Sequence, residues 1–285
     1  MISYDPKSWW GLIFKFHRSD TFRILLPAMI TVSVFSGVVV YIEHGLFPAV
    51  LKGTALVHSL LGFVISLLLV FRTNTAYERW WEGRRQWGSL VNTSRNIALK
   101  LNAVLPPEDT SRALFADLIG SYATILREHL RGARMPHVSP PVQHWPSRIA
   151  SQLFAEVHRV HWSGRLPDMQ FLALSPDLSM LAEICGACER IKRTPIPYSY
   201  SIFIKKFIFA YIVTLPFCFA HEFGYWTALF TTFVFYVFAS LELIAEEIEN
   251  PFGDDANDLP TREIAATISA NAREILLGPT PSGTA

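Results

Sequence analysis

The chain has 285 residues, a formal net charge of +1 and 51% hydrophobic residues, and its mean hydropathy is positive. The net charge says little by itself, but apolar residues gathered in long blocks exclude an ordinary water-soluble globule. Three cysteines, Cys185, Cys188 and Cys218, give no disulfide framework.

The class defined by these values is an all-α integral membrane protein with a sizeable soluble part. Residues 1–23 read as an interfacial helix. Asp5-Pro6 offers a cap and a first-turn proline, and Trp9, Trp10, Ile13, Phe14 and Phe16 alternate with Lys7, Lys15, His17 and Arg18. Scattered charge and the lack of a small-residue cleavage site distinguish it from a secretory signal. Ile24 to Ile42 is the first span, with Pro27 in its opening turns, where a missing backbone donor costs least. Glu43 to Gly53 is a short loop.

Thr54 to Phe71 is the second span, eighteen residues without Asp, Glu, Lys or Arg. At helical rise that length crosses a hydrocarbon core of roughly 30 Å. Phe63, Leu67 and Phe71 recur every fourth residue and stack on one face. Ala55, Ser59, Gly62 and Ser66 form a neighbouring small-residue stripe, which lets membrane helices approach closely. Copies packed on that stripe would point the bulky stripe at one another and form a hydrophobic constriction. Against this stands a plain lipid-facing span, where Leu and Phe are expected anyway.

Arg72 to Leu105 continues the second helix out of the bilayer, until Pro106-Pro107 ends it. In its basic and aromatic start, Glu78 and Glu82 are expected to pair with arginines while Trp80, Trp81 and Trp87 pack. Thr110 to Arg131 is an amphipathic helix with Phe115, Ile119, Tyr122 and Leu126 inward. Gly132 to Pro146 is a proline-rich loop. Pro146 to Trp162 is a shorter helix. Pro167 to Lys192 is another, with Leu178, Leu181, Ile184, Cys185, Cys188 and Ile191 on one face. Thr194-Pro-Ile-Pro197 breaks it. Ile202 to Ala220 and Trp226 to Ala245 are the third and fourth spans, joined by a tight turn. The acidic stretch from Glu246 leads into a helix from Thr261 to Leu277, and residues 278–285 form a Pro/Gly/Ser tail.

The domains are therefore 1–23, spans over 24–71, a helical domain over 72–200, spans over 201–245, an acidic loop and helix over 246–277, and the tail. Lys and Arg flank the spans on one side, whereas the two opposite loops hold only Lys52. Basic residues stay in the cytoplasm, which places both termini and residues 72–200 there, in a cytoplasmic membrane.

No nucleophile–base pair, paired carboxylate or Gly-rich phosphate loop is present, so an enzyme is not expected. Cys185 and Cys188 have metal or redox spacing but lack a second pair and sit on an apolar stripe. His158 and His161 form a weaker pair. Asn250, Asp254, Asp255, Asn257 and Asp258 supply hard oxygen ligands of the kind calcium takes, or else a solvated turn capping the last helix.

Several stretches taken together resemble the bestrophin family. They are G-F in the second span, R-W-W-E at Arg79 to Glu82, I-P at Ile196-Pro197, and above all N-P-F-G-D-D at Asn250 to Asp255. The resemblance, most like bacterial members, implies a homopentameric channel around one central pore. Its neck rings match Phe63, Leu67 and Phe71. Its cytosolic aperture is best matched by Ile184, with Leu181 next. In animal members the loop after N-P-F-G clasps calcium. Asp255 and Asp258 match its acidic ligands and Asn250 an oxygen ligand, but Glu247 stands where animals carry Gln, and Ala256 and Asn257 interrupt the acidic run. No cofactor is required on this reading, and calcium is the one ion the resemblance introduces.

The implied partners are further copies of the chain, the bilayer and small monovalent ions, with no nucleic acid. Leu67 replaces an aromatic ring of the animal proteins, so chloride is not preferred over sodium or potassium. Neutral rings cannot choose a sign; the face of Glu242, Glu246 and Glu249 either does so or pairs with the arginines after the second span. The competing classes are a carrier, which broken helices and intramembrane charges would mark, and a membrane scaffold or sensor.

Overall fold

A computed structural model describes residues 20–45, 55–133, 142–255 and 257–278. The interfacial helix expected over 1–23 thus lies, apart from 20–23, outside the described residues, as does nearly all of the tail. Among the described residues there are helices and no strand: α1 (Asp20–Gly45), α2 (Ala55–Val104), α3 (Ser111–Arg131), α4 (Trp145–Trp162), α5 (Asp168–Arg193), α6 (Tyr198–Phe223), α7 (Trp226–Glu249) and α8 (Thr261–Leu277).

The chain divides into two compact units, changing between Arg79 and Trp80, Thr194 and Pro195, and Glu249 and Asn250. The first change falls later than the Arg72 expected from charge. Arg72 and Ala76 are still buried, Ala76 against Ile196 and Ala245, so α2 keeps its packing beyond the last apolar residue of the span.

The first unit holds α1, the opening half of α2, α6 and α7. Its core is Ile65 and Leu69 of α2 against Ile204, Ile208 and Ile212 of α6, with Val32 of α1 and Phe238 of α7 packed on it. Four-residue spacing puts each set on one helical face. Its outer surface carries Ile24, Ile30, Val34, Phe209, Phe230 and Phe233, all exposed. An apolar exterior on helices that satisfy their own backbone is what a bilayer demands. Each of the four expected spans is long and apolar enough to cross. Pro27 stands deeper in α1 than expected and Pro216 lies within α6; hydroxyls within the spans bond back to their own helix, as Thr31 does to the Pro27 carbonyl.

The second unit holds the rest of α2, then α3, α4, α5 and α8. Trp87, Leu90 and Leu101 of α2, Phe115, Tyr122 and Leu126 of α3, Leu153 of α4, Leu181 and Ile184 of α5 and Ile268 of α8 form one core. α5 also meets the length and hydropathy of a span, but this packing uses its apolar face. The buried Arg112 donates to the carbonyls of Asn102, Leu105 and Leu276, tying down the ends of α2 and α8, where a cation meets the negative pole of each helix.

Candidate functional site

Phe63, Leu67 and Phe71 are 67%, 45% and 55% exposed on the single subunit. His58, Ile65, Leu69, Arg72 and Ala76 of the same helix are buried. At about 100° per residue, Leu67 stands opposite the midpoint of Ile65 and Leu69. One side of α2 is therefore spent inside the unit, and the bulky apolar stripe is its free side. Of the small stripe, Ser59 and Ser66 are exposed on the single subunit and Gly62 is half-buried. A side chain at Gly62 would meet the Tyr211 hydroxyl at 2.8 Å, so the glycine admits α6 of the same subunit. Ser66 donates to the Gly62 carbonyl at 2.7 Å.

Immediately after the stripe comes a buried charge cluster. Arg72 is 1% exposed and donates through Nη2 to Glu249 Oε2 at 2.7 Å. Its Nε lies 3.5 Å from Glu242 Oε2. Glu249 Oε1 accepts the Ile196 amide at 2.7 Å, and its carbonyl accepts Arg79 Nε at 3.0 Å. Glu246 pairs with Lys205 at 2.8 Å. The acids of α7 thus pair with cations, the second of the two roles open to them, and Glu249 fastens α2 to the break before α6. Glu82 pairs with Arg190 at 2.9 Å within the other unit.

Sequence reasoning overlooked a polar contact within the spans. His58 Nε2 lies 3.0 Å from Thr214 Oγ1, and the Cys218 thiol is 3.2 Å from its Nδ1. The four-residue spacing of Thr214 and Cys218 on one face of α6 was the available signal.

Ile184 and Leu181, matched to the cytosolic aperture by the resemblance, are buried on the single subunit. They are 1% and 2% exposed inside the core of the second unit, and the Leu181 carbonyl accepts the buried Tyr122 hydroxyl at 2.5 Å. The exposed positions of α5 include Met169, Leu172, Ser179, Met180 and Glu183. Cys185 and Cys188 share that core. Burial pushes both thiols up to about 12, which keeps them protonated and unreactive at neutral pH. His158 and His161 pack their rings on Phe171.

The acidic loop is anchored by its apolar half. Phe252 is 1% exposed, and Pro251, Phe252 and Leu259 crowd Gly83 of α2 so closely that a side chain there would lie 3.0 to 3.3 Å from them. Asp258 is buried and its Oδ2 accepts the Asp255 amide at 2.6 Å. Asn250 and Asp255 are exposed, and Asp254 pairs with Arg131. Arg127 and Arg131 line the same hollow, of about 200 Å³, as Asp254, Asp255 and Asp258. Calcium fits this poorly: the buried carboxylate already serves a backbone amide, and guanidinium groups face the remaining acids.

Residues 1–274 match the family of bacterial and fungal bestrophin proteins. A voltage-dependent anion channel-forming protein of Synechocystis is 30% identical, over 96% of this chain and 94% of its own length. One of Nostoc is 34% identical over 74% of each. The crystal structure of a bacterial bestrophin homologue from Klebsiella pneumoniae superposes with a TM-score of 0.83 at 26% identity, covering 90% of this chain and all of that one.

Proposed function

The chain belongs to the bestrophin family, a family of channels rather than enzymes, and on that premise we propose a homopentameric channel for small monovalent ions, narrowed by rings of Phe63, Leu67 and Phe71. The observation that carries this reading is the free side of α2. Three large apolar side chains, all about half exposed or more, stand opposite the face that packs within the subunit. Around a shared axis such rings resist wetting and so hold a pore nearly closed. The channel lies in the cytoplasmic membrane, with residues 80–194 and 250–278 in the cytoplasm.

Rings of Phe and Leu carry no charge, so they set conductance and leave sign to fields around them. The relatives named as anion channel-forming proteins favour anions. Conduction is independent of calcium, because the acidic loop is held by its own amides, Arg131 and apolar contacts.

The test is recording from purified protein in planar bilayers under asymmetric salt. Replacing Phe63, Leu67 and Phe71 together by Ala is expected to raise conductance severalfold. Unchanged currents from the triple variant would defeat the neck. The reversal potential is expected to shift toward the chloride equilibrium value and to stay there in calcium chelator. A shift toward the cation value would reassign the sign.

A further inference from the structure

Conduction makes no use of two imidazoles and a carboxylate in the soluble unit. His129 is in the last turn of α3, His144 caps the start of α4, and Glu189 is near the end of α5. His129 Nε2 and His144 Nε2 lie 2.5 and 2.9 Å from the same oxygen, Glu189 Oε1. One ligand atom from each residue falls within 4.8 Å of the others. The two rings meet edge to face, with centroids 4.7 Å apart. All three side chains are largely covered, with exposures between 20% and 36%.

We propose that His129, His144 and Glu189 form a divalent transition-metal site of the zinc class. Two imidazole nitrogens with one carboxylate are a donor set zinc takes, with a fourth position left for water. Magnesium and calcium prefer oxygen throughout and are discriminated against. Ligands around zinc bond at about 2.0–2.2 Å and stand about 3.4 Å apart in a tetrahedron. The present hydrogen-bond distances need to open by less than about 1 Å to admit the ion. Three separate elements supply the donors, so the ion would staple α3, the start of α4 and α5. Arg193, 3.8 Å from the same carboxylate oxygen and 72% exposed, is the competing cation and has room to swing away.

Proton placement gives the site a signature. The Ser147 amide donates to His144 Nδ1 at 3.1 Å, which puts the proton of the neutral ring on Nε2, toward Glu189. Zinc on Nε2 moves that proton to Nδ1, which then no longer accepts from Ser147. Loading therefore exchanges the side-chain cap of α4 for the metal link.

The experiment titrates ZnCl₂ into the full chain, purified in detergent and freed of metal by chelator, with MgCl₂ in parallel. One zinc per subunit is expected, with affinity at least tenfold weaker in His129→Ala and in Glu189→Gln. Hydrogen exchange at the Ser147 amide is expected to quicken on loading. Cobalt in the unsubstituted chain is expected to show the intense visible bands of a tetrahedral site, a readout that needs no variant to fold. Zinc affinity equal in wild type and variants, no zinc uptake, an equal response to magnesium, or only the weak octahedral cobalt spectrum would each overturn the site.

Discussion

Glu249 illustrates how much one carboxylate carries at the residue scale. Its two oxygens and its carbonyl engage Arg72, the Ile196 amide and Arg79. Removing one partner of a buried pair leaves a desolvated charge behind, at a cost of about 3–5 kcal/mol. Glu249→Ala is therefore expected to lower the melting temperature in detergent strongly. Glu249→Gln keeps an acceptor for Ile196 and should fall between the two. Equal melting of all three would remove Glu249 from its place as fastener. Asp109 offers a pH-dependent case. Burial opposes its charge, but the Ser111 amide and hydroxyl and the Arg165 guanidinium, 2.6 Å away, outweigh it and hold the carboxyl below its usual range. A group with a lowered folded value stabilises above the ordinary carboxylate range, and its contribution fades as pH falls through the folded value. Asp109→Asn is expected to cost about 1–2 kcal/mol at pH 7. The gap from wild type should close in acid, below about pH 4, when melting is followed across that range.

Helix approach decides the next scale. A side chain on Gly120 of α3 would sit 2.7 Å from the Ser269 hydroxyl of α8 and 3.2 Å from its Cα. Backbone cannot step aside as a side-chain end can, so Gly120→Ala is expected to destabilise by about 1–3 kcal/mol, with only partial relief from Ser269→Ala. Gly62→Ala meets the far end of Tyr211 instead, and adding Tyr211→Phe should restore stability; thermal melting of the two pairs separates these cases. The elements themselves were legible in the sequence, because long apolar runs, Pro-Pro stops and Pro-Ile-Pro breaks are strong local signals. The face of α2 was legible too, since four-residue spacing fixes which side chains share it. The partners on its opposite face were not, because Tyr211 lies far along the chain and glycine spacing names no neighbour. On α5 the periodicity of Leu178, Leu181, Ile184, Cys185, Cys188 and Ile191 already described a core face. The family resemblance matched Ile184 and Leu181 to an aperture; in the single subunit both lie on the core face that the periodicity described. For the acidic loop, N-P-F-G was legible as a motif, but the inward turn of Asp258 and the arginines from α3 depend on folding.

For the molecule as a whole, the two units expose different surfaces. One carries apolar side chains outward on α1, α6 and α7, and the other closes its apolar residues into a core around Trp87 and Tyr122. Hydropathy alone would count α5 with the spans; its apolar face instead packs into the core of the second unit. A cysteine introduced at the exposed Ser179 should therefore react with a membrane-impermeant maleimide in inverted vesicles and stay unlabelled in intact spheroplasts. The opposite pattern would reverse the topology, and protection in both would return α5 to the membrane.

The outward ridge of Phe63, Leu67 and Phe71 has a consequence for how copies hold together. Acyl chains wet a phenyl ring as readily as another phenyl ring does, so hiding the ridge yields little adhesion inside a bilayer. In the proposed assembly, cohesion would come instead from places where water is expelled, and Trp162, Met169 and Leu172, more than 60% exposed, offer such surface. Each large apolar side chain fully covered there contributes about 1.5–3 kcal/mol. In the proposed channel the throat is then shaped by an assembly it does not drive, and its residues could change in size without loosening the ring.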